Sequence, residues 1–512
     1  MRTRKRLLSI RLALISAACA LFLLYGDLLL PSLSTGSTKI NPLSSSLSNV
    51  EAVQLLGHPT FKDAWEYERK LPQHKKSSRI VASSTRRYLR IPHASWGTGW
   101  NNVFQEQLLN AYLAHMSDRA YVFPDYIPRD HVPFPDMLAN GTRHMLHIPM
   151  NAFVAGPIAG GPLFDDPAED IITRRSISDK WWEAVCPREQ VKVLNVFEVH
   201  NSFGYDAQRV EGAEILTRWA KKLKDLEEPC VSVEEFSILH YGLIGSPWIV
   251  SIWPSYVASP FLQNFAWSPL VTSALFSNIR IIAPGQITPP IYLRPIRALS
   301  LQVNSYESFR PLRASSLRFP ISGLLGLHVR RGDYAHHCVM LSGGGYDYNA
   351  WNNLGKPGLV ANASAVAQRW LGFGGESAIW PKLAEDRDVP DGLSTQDALY
   401  QHCYPDIAHI VKRSADARAK APLTRIFIAT NGEKDWVTNL TRALYDDGWE
   451  HVSTLHDLKL TPEAYAVSHA VDMGILSVLA EEFIGVGFSS LSSNVAQIRL
   501  GTGLDERTIH FW

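Results

Sequence analysis

Three short apolar runs in the C-terminal third of the sequence restrict the possible folds most. They occupy residues 324–329, 425–429 and 483–486, and none alternates regularly between apolar and polar residues. Such runs are typical of strands buried on both faces, as in a parallel sheet covered by helices. Helical patterns at 433–444 and 466–479 separate them, the first with one apolar face and the second apolar nearly all round. This alternation predicts a doubly wound α/β domain.

A second α/β pattern begins near residue 88. Residues 88–92 predict a strand, a Gly/Asn turn follows at 97–102, and apolar residues then recur at helical spacing up to Tyr112. The next predicted strand covers residues 120–123. The stretch 140–319 is rich in Pro and Trp and has no clean period, so we assign it to the remainder of the same domain.

The length of the chain indicates more than one domain. A chain of 512 residues exceeds one ordinary core, so we expect two doubly wound domains facing a cleft. The predicted order is a cytosolic tail and signal anchor at 1–30, a flexible stem at 31–84, a first domain at 85–322 and a second domain at 323–512. A long, polar, Gly-rich insertion occupies about 338–422 of the second domain.

The N-terminus combines a basic cluster at residues 2–6 with an apolar stretch at 12–25. That stretch is shorter than the ~20 residues that span a bilayer comfortably, but apolar residues resume at 28–30, and basic side chains can snorkel. We expect an uncleaved anchor. A cleaved signal peptide is the alternative, because residues 18–20 suggest a cleavage site. The basic flank predicts a cytosolic N-terminus and a lumenal remainder.

Cysteines and glycosylation sequons agree with a lumenal route. The four cysteines beyond the anchor fit an oxidising compartment and allow three pairings. We favour the two local pairs, since a bridge between domains would oppose motions of the cleft. These pairs are Cys186 with Cys230 and Cys338 with Cys403. The three sequons are at Asn140, Asn362 and Asn439.

Charge and spacing exclude some classes of partner. The formal net charge is +1, which gives no basis for a nucleic-acid partner. No CxxC spacing occurs, which argues against a zinc site. The triplet Asp386-Arg387-Asp388 has the DxD form that some metal-dependent sugar transferases use for a divalent cation. No apolar strand precedes it, and a solvated loop is the simpler interpretation.

The first apolar run ends abruptly in two arginines. The two-residue period of a strand places His328 and Arg330 on one face and Arg331 on the other. Ligands of open parallel sheets bind beyond the carboxyl ends of strands, and the planar guanidinium suits a diphosphate. A solvated strand end is the alternative. An adhesive loop formed by Arg331, Gly332 and Asp333 is a further one.

Two other predicted strand-to-helix turns carry polar residues. Thr430 and Asn431 precede a helix, where backbone N–H groups can face an anion, although Asn431 as an ordinary helix cap is the alternative. Ser489 and Ser490 lie in a Gly/Ser loop with the same two interpretations. Asp472 lies among apolar residues and needs a partner if buried. A structural arginine or the N–H donors of a guanine base would serve.

Together these segments resemble three motifs shared by the α1,2-, α1,6- and protein O-fucosyltransferases. The first motif corresponds to residues 328–334, the second to 429–431 and the third to Asp472 with 483–490. Gly99-Trp100-Asn101-Asn102 is similar to the Gly-Phe-x-Asn turn that opens the first domain of the protein O-fucosyltransferases. The resemblance covers short islands between residues 88 and 500. It implies a GT-B-like fold with two Rossmann-like domains.

The resemblance also implies residue roles. Arg330 would be the catalytic residue that holds the β-phosphate of GDP-fucose and stabilises the leaving GDP. The other donor-site residues would be His328, Arg331, Asp333, Thr430, Asn431, Asp472, Ser489 and Ser490. Gly99, Asn101 and Asn102 would line the cleft from the first domain. Leu491 stands where many members have an aromatic residue, and the Trp100-Asn101-Asn102 turn lacks the basic residue or glutamate of some members. These departures leave the acceptor and the base open.

The expected function is therefore inverting transfer of fucose from GDP-fucose to a hydroxyl group of a glycan or protein acceptor, without a metal or other cofactor. The expected location is the ER or Golgi membrane, as a single-pass type II protein with a lumenal catalytic part. Two alternatives stay open from the sequence. One is a metal-dependent nucleotide-sugar transferase of another type, and the other is a non-catalytic lumenal glycan-binding protein with the same fold.

Overall fold

A computed structural model describes residues 57–75, 86–92, 98–128, 147–164, 171–204, 210–285, 290–295, 306–309, 311–313, 320–343, 348–354 and 395–512. The predicted anchor at 1–30, the sequons at Asn140 and Asn362, and the acidic triplet at 386–388 lie outside these residues. None of the helices in the described segments is long and apolar enough to cross a membrane.

The described strands form two parallel sheets and one small antiparallel sheet. In chain order the strands are β1 Tyr88–Arg90, β2 Ala120–Phe123, β3 Val154–Ala155, β4 Ile177–Ser178, β5 Val191–Asn195, β6 Cys230–Glu234, β7 Ala266–Trp267, β8 Leu312–Arg313, β9 Ile321–Val329, β10 Arg425–Thr430, β11 His451–Thr454, β12 Ala480–Gly485 and β13 Ile509–Phe511.

The two five-stranded sheets confirm the α/β class. The first sheet has the order β4-β2-β1-β6-β5 and the second has the order β11-β10-β9-β12-β13, with parallel pairing throughout. All strands of the first sheet come from before residue 235, and all strands of the second from after residue 320. Two doubly wound sheets are the arrangement that a GT-B-like fold requires.

Helices cover these sheets and connect their strands. In chain order the described α-helices are α1 Phe61–Arg69, α2 Trp100–Met116, α3 Met150–Phe153, α4 Asp179–Val185, α5 Val196–Ser202, α6 Gly212–Asp225, α7 Tyr241–Ile244, α8 Trp253–Tyr256, α9 Pro260–Gln263, α10 Pro269–Ile282, α11 Tyr334–Gly343, α12 Thr395–Cys403, α13 Ile407–Arg418, α14 Lys434–Asp446, α15 Pro462–Ala466, α16 Ser468–Gly474 and α17 Ser490–Gly501.

The long helix predicted at 466–479 is broken in the structure. α15 ends at Ala466, α16 follows as a separate helix, and residues Ile475–Leu479 form a π-helical segment. This segment packs directly on the middle of β9. A Cβ atom at Gly326 would lie 2.8 Å from the Leu476 side chain, so the close approach requires glycine at this point of the strand.

The middle of the chain has more structure than its sequence pattern indicated. It supplies β4, β5 and β6 to the first sheet and contains the small sheet with the order β3-β7-β8. The short strands carry no readable period, which is why the sequence did not reveal them. Earlier in the chain, α1 packs into the core through Ala64, so the segment assigned to the stem contains a helix that belongs to the folded part.

The predicted insertion at 338–422 also contributes to the folded core. α12 and α13 lie within it, and Cys403 and Ile410 belong to the apolar cluster around β9 and β10. Residues 348–354 pack against the start of α17. Polar composition therefore hid ordered elements, because only a few apolar side chains anchor them.

Two disulfide bonds are present, and they are the pairs that the sequence analysis favours. Cys186 pairs with Cys230, joining the end of α4 to β6, and Cys338 pairs with Cys403, joining α11 to α12. Both pairs are buried. Each bridge therefore closes a loop within one half of the chain, and neither of these two disulfide bonds joins one parallel sheet to the other.

Candidate functional site

The carboxyl ends of β9, β10 and β12 lie at one edge of the second sheet. His328 in β9 pairs with Ala429 in β10, and Leu327 pairs with Ile484 in β12. The chain runs outward from β9 through β10 to β11, and then returns to the opposite side of β9 as β12. The β9–β12 edge is therefore a topological switch point, the place where open parallel sheets bind their ligands.

Arg330 directly follows β9 and is an accessible cation at this edge. Its side chain is 34% exposed, and Nη2 lies 3.1 Å from Oδ1 of Asp333, which is 68% exposed. Its guanidinium carbon lies 5.5 Å from the centre of the Tyr334 ring. Because an exposed ion pair contributes at most about 1 kcal/mol, an incoming anion can replace Asp333 as the partner at little cost.

Arg331 points to the other face of the sheet, as the strand period predicts, and is buried. Its guanidinium lies between two aromatic rings, 4.1 Å from the centre of Tyr404 and 4.0 Å from the centre of Trp436. It also donates a hydrogen bond to the carbonyl of Pro405. These contacts tie the connection between α12 and α13 to the second sheet, so the Arg331 side chain has a structural role in the ligand-free protein.

Asn431 holds the backbone of the loop that follows β9. Its Oδ1 accepts from the Arg331 N–H at 2.8 Å, and its Nδ2 donates to the Arg331 carbonyl at 3.1 Å. The alternative that Asn431 caps α14 does not hold, because the N-cap residue is Glu433. Thr430 is likewise engaged locally, since its hydroxyl accepts from the Gly432 N–H at 3.0 Å. The loop after β10 thus holds the loop after β9 in place.

The loop after β9 also requires a glycine. Gly332 has φ +61, and a Cβ atom there would lie 3.2 Å from Nδ2 of Asn431. A larger residue would be strained in the left-handed region and would crowd the amide that holds Arg331. Gly332 therefore lets the chain turn sharply between Arg330 and α11, which keeps Arg330 at the strand end.

The loop after β12 leads directly into α17. Ser489 is the N-cap residue, and its hydroxyl accepts from the Leu491 N–H at 3.3 Å. Ser489 is buried, whereas Ser490 is half-buried. A helix N-terminus with hydroxyl side chains favours negative charge, because its first N–H groups have no partner within the helix. Both serines thus lie at a strand end adjacent to that of Arg330.

His328 links β9 to the same helix. Its Nδ1 lies 2.8 Å from the Ser492 hydroxyl, and the oxygen of that hydroxyl accepts from the Val486 N–H at 3.0 Å. Burial, and secondarily the charge of Arg330, lowers the pKa of His328 to about 3. The imidazole is therefore neutral at physiological pH. In the tautomer in which Nδ1 accepts from Ser492, Nε2 carries the proton and can donate to a ligand.

Asp472 on α16 is a buried carboxyl group without a complete set of partners. It is 7% exposed, and within the described part of the chain its Oδ1 has no hydrogen-bond partner. Burial raises the pKa of Asp472 to about 8. A buried carboxyl group with a displaced pKa and an unused acceptor is a feature of ligand sites more than of packed cores.

The turn at residues 99–102, which follows β1 of the first sheet, contacts α17 in the second half of the chain. Gly99 is the N-cap of α2, and the Asn101 carbonyl accepts from Nδ2 of Asn494 at 2.8 Å. One helical turn later, Nε2 of Gln105 donates to the Ser493 hydroxyl at 2.8 Å. The Gly99–Asn102 turn and the Ser489–Ser490 turn thus lie at neighbouring helix ends, and a role of the first turn in the cleft stays a prediction. Asn102 itself is half-buried.

One part of this site was missed in the sequence analysis. Residues 348–354 lie in the predicted insertion, yet Nδ2 of Asn352 donates to the carbonyls of Gly487 at 2.7 Å and Ser489 at 3.1 Å. The local sequence Tyr348-Asn349-Ala350-Trp351-Asn352-Asn353 has three asparagines next to a Trp. That combination of amides around a large apolar side chain was the available indication of a buried polar contact.

One of the three glycosylation candidates, Asn439, lies within the described residues. Asn439 is exposed in α14, and its Oδ1 accepts from Nη1 of Arg442 at 3.3 Å. Its accessibility is compatible with modification, which stays a prediction.

The sequence matches no protein-family model, and no curated protein matches it either. Among solved structures, the chain is similar to a crystal structure of POFUT1 in complex with GDP-fucose, with 13% sequence identity and a TM-score of 0.47 over 83% of this chain and 98% of that one. A POFUT1 complex with GDP gives 12% identity and a TM-score of 0.47, covering 84% and 99% of the two chains. Apo POFUT1 gives 11% identity and a TM-score of 0.37, covering 84% and 99%. Similarity at this level does not establish a function for this chain.

Proposed function

We propose that this protein is an inverting glycosyltransferase that moves fucose from GDP-fucose to a hydroxyl group of a glycan or protein acceptor. The observation that carries the proposal is the position of Arg330 at the switch point of the second sheet, in the loop adjacent to Ser489 and Ser490. An accessible guanidinium, two hydroxyl groups and a helix N-terminus form a set of groups that suits a diphosphate.

Two buried groups favour a nucleoside beside that diphosphate. His328 is neutral and has a donor available, and Asp472 has an unused carboxyl oxygen. A guanine base offers N–H donors to a carboxylate, and binding them would lower the pKa of Asp472 toward its usual range. A purely structural arginine is the alternative partner for Asp472, but burial alone accounts for the raised pKa of Asp472, and its Oδ1 has no hydrogen-bond partner within the described residues.

The proposed mechanism places the developing negative charge on the β-phosphate. The acceptor oxygen attacks C1 of fucose as the bond to GDP breaks, through a state with oxocarbenium character, and the configuration at C1 inverts. Arg330 stabilises the leaving diphosphate, which is worth roughly 3 kcal/mol or more by analogy with donors to an oxyanion. The proposal includes no metal ion. The base that accepts the proton of the acceptor hydroxyl is left unassigned.

We further propose a lumenal location in the ER or Golgi, with membrane attachment through residues 1–30. Two buried disulfide bonds support an oxidising compartment, because such bonds seldom persist in a reducing one. Carbonate extraction of the full-length protein tests the attachment. Release into the soluble fraction with a new N-terminus would indicate a cleaved signal peptide.

A screen of nucleotide-sugar donors tests the activity. The full-length protein is incubated with GDP-fucose, GDP-mannose, UDP-glucose and UDP-galactose, with and without EDTA. The free nucleoside diphosphate, GDP or UDP, is then measured. We expect GDP release from GDP-fucose above that from the other donors, unchanged by EDTA. Release of UDP that EDTA abolishes would instead support a metal-dependent transferase. Absence of turnover together with glycan binding on an array would support the non-catalytic alternative.

A further inference from the structure

A short turn inside the predicted insertion holds the loop that carries the two serines. We call residues 348–354 the asparagine turn. Its Asn352 is fully buried, and the two hydrogens of Nδ2 are donated to the carbonyl oxygens of Gly487 at 2.7 Å and Ser489 at 3.1 Å. The backbone N–H of Asn349 donates to the same Gly487 oxygen at 2.8 Å. Three hydrogen bonds thus connect the turn to this loop.

These bonds fix the direction of N–H groups as well as of carbonyls. In a planar trans peptide, the C=O of one residue and the N–H of the next point in opposite directions. Holding the Ser489 oxygen against Asn352 therefore directs the Ser490 N–H away from the asparagine turn. Ser490 is the first residue of α17, so its N–H is one of those that no acceptor within the helix can satisfy.

We propose that Asn352 is a positioning residue of the donor site, an inference that rests on the proposed function. By fixing the peptide planes after Gly487 and Ser489, its amide keeps the N–H of Ser490 directed toward the position of the diphosphate. Each carbonyl keeps one other donor, the Asn349 N–H for Gly487 and the Ser493 N–H for Ser489, so loss of the Asn352 amide loosens these peptides and lets a carbonyl oxygen tilt toward the phosphate and repel it. Asn352 does not touch the donor; it acts through the loop.

The asparagine turn is itself rigid enough for this role. Ala350 is held at φ +38, and the backbone N–H of Trp351 donates to the Ser493 hydroxyl at 3.1 Å. A left-handed conformation in a residue other than glycine persists only where surrounding contacts impose it. The Trp351 ring stacks on Tyr256 with centroids 5.4 Å apart, which anchors the turn between the two halves of the chain.

Three variants of the full-length protein separate positioning from general stability. Asn352→Ala removes both donors, and Asn352→Asp retains the size but places an acceptor against two carbonyls. Asn353→Ala is the matched control, because Asn353 lies in the same turn and donates two bonds that do not reach the loop. Hydrogen exchange of the amides in residues 486–493, GDP affinity by calorimetry and the melting temperature are measured for each.

We expect loss of amide protection at 486–493 and about tenfold weaker GDP binding in both Asn352 variants, since one or two buried hydrogen bonds are lost. The Asn353→Ala protein should keep its loop protection and bind GDP within about twofold of wild type. Equal changes in all three variants, in proportion to their melting temperatures, would overturn the inference. If wild-type protein binds no GDP, the proposed function fails, whereas the exchange pattern still decides whether Asn352 fixes the loop.

Discussion

At the scale of single residues, neighbouring side chains in one motif serve different purposes. Arg330 and Arg331 follow the same strand, yet the first pairs with an exposed carboxylate and the second is enclosed by Tyr404 and Trp436. The difference follows from the alternation of side chains along an extended chain, which sends one arginine to each face. The motif therefore combines a residue suited to binding an anion with one that fixes the loop.

Replacement of Arg330 tests its role in transfer. Arg330→Lys keeps the charge but loses the planar fork, so we expect kcat to fall at least tenfold, and Arg330→Ala should lower kcat about 100-fold or more. The measurement is fucosyl transfer at saturating GDP-fucose by variants with an unchanged melting temperature. Arg442→Ala, at an exposed position of α14, serves as the control. Rates close to wild type in both Arg330 variants would remove this residue from the mechanism.

The buried carboxyl group of Asp472 predicts a pH dependence of stability. Its pKa is raised from 3.8 to about 8, so the folded state binds one more proton than the unfolded state between these values. The free energy of unfolding should therefore decrease as pH rises through this interval and level off above pH 8. Asp472→Asn removes the effect and should stabilise the ligand-free protein at pH 7.5 by at least about 1 kcal/mol.

Thermal unfolding between pH 5 and pH 9 measures this effect in both proteins without nucleotide. The difference in melting temperature between Asp472→Asn and wild type should grow with pH. The same variant should bind GDP more weakly, because an amide presents N–H donors to the N–H donors of the base. A difference that is constant with pH would show that Asp472 does not titrate in this range.

At the scale of elements, strands were easier to predict than the segments that pack over them. β2 has the predicted bounds, and β9, β10 and β12 each lie within three residues of theirs at both ends. Their apolar runs are local signals that depend on burial from both faces. The asparagine turn and α12 lack such a run, because a disulfide bond, a few buried residues and hydrogen bonds to distant carbonyls hold them in place.

The two disulfide bonds should contribute similarly to stability but differently to the site. They close loops of 44 and 65 residues, so chain entropy predicts about 4 kcal/mol for each and a difference of only a few tenths. α11, which carries Cys338, begins with Tyr334, whose hydroxyl donates to the Phe488 carbonyl at 2.9 Å. Loss of the Cys338–Cys403 bond should therefore also disturb the loop before Ser489.

Paired Cys→Ser variants test this difference. Both double variants should unfold at lower temperature than wild type, and only the Cys338→Ser, Cys403→Ser protein should bind GDP several-fold more weakly. Calorimetry below the unfolding transition gives the GDP affinity, and the Cys186→Ser, Cys230→Ser protein is the matched control. Equal GDP affinities in the two double variants would contradict a connection between α11 and the nucleotide loop.

At the scale of the whole molecule, a polar seam joins the halves that carry the two parallel sheets. Gln105 of α2 contacts Ser493, the Asn101 carbonyl accepts from Asn494, and the Tyr256 hydroxyl donates to Gln497 at 3.2 Å. Apolar residues of both halves belong to one continuous cluster around these contacts. Buried hydrogen bonds of this kind specify one arrangement of the halves, because any other would leave donors and acceptors without partners.

We predict that the seam makes the folded part unfold in one cooperative transition. Gln105→Ala removes a buried donor to Ser493 and should lower the free energy of unfolding by about 1–2 kcal/mol while the single transition is retained. Differential scanning calorimetry measures both quantities. Gln190→Ala, at an exposed position of the first half and away from the seam contacts, is the control. Two separate transitions in wild type would show that the halves are stabilised independently.

The sequence by itself determined the features that depend on neighbours along the chain. The alternation of apolar runs and helical patterns predicted the α/β class, the strand period separated Arg330 from Arg331, and short separations favoured the observed cysteine pairs. Tertiary structure alone decided which polar groups meet. Gln105 and Ser493 are 388 residues apart, and Asn352 and Gly487 are 135 apart. Neither contact has a periodic signature, because a buried hydrogen bond depends on where two backbones approach in space.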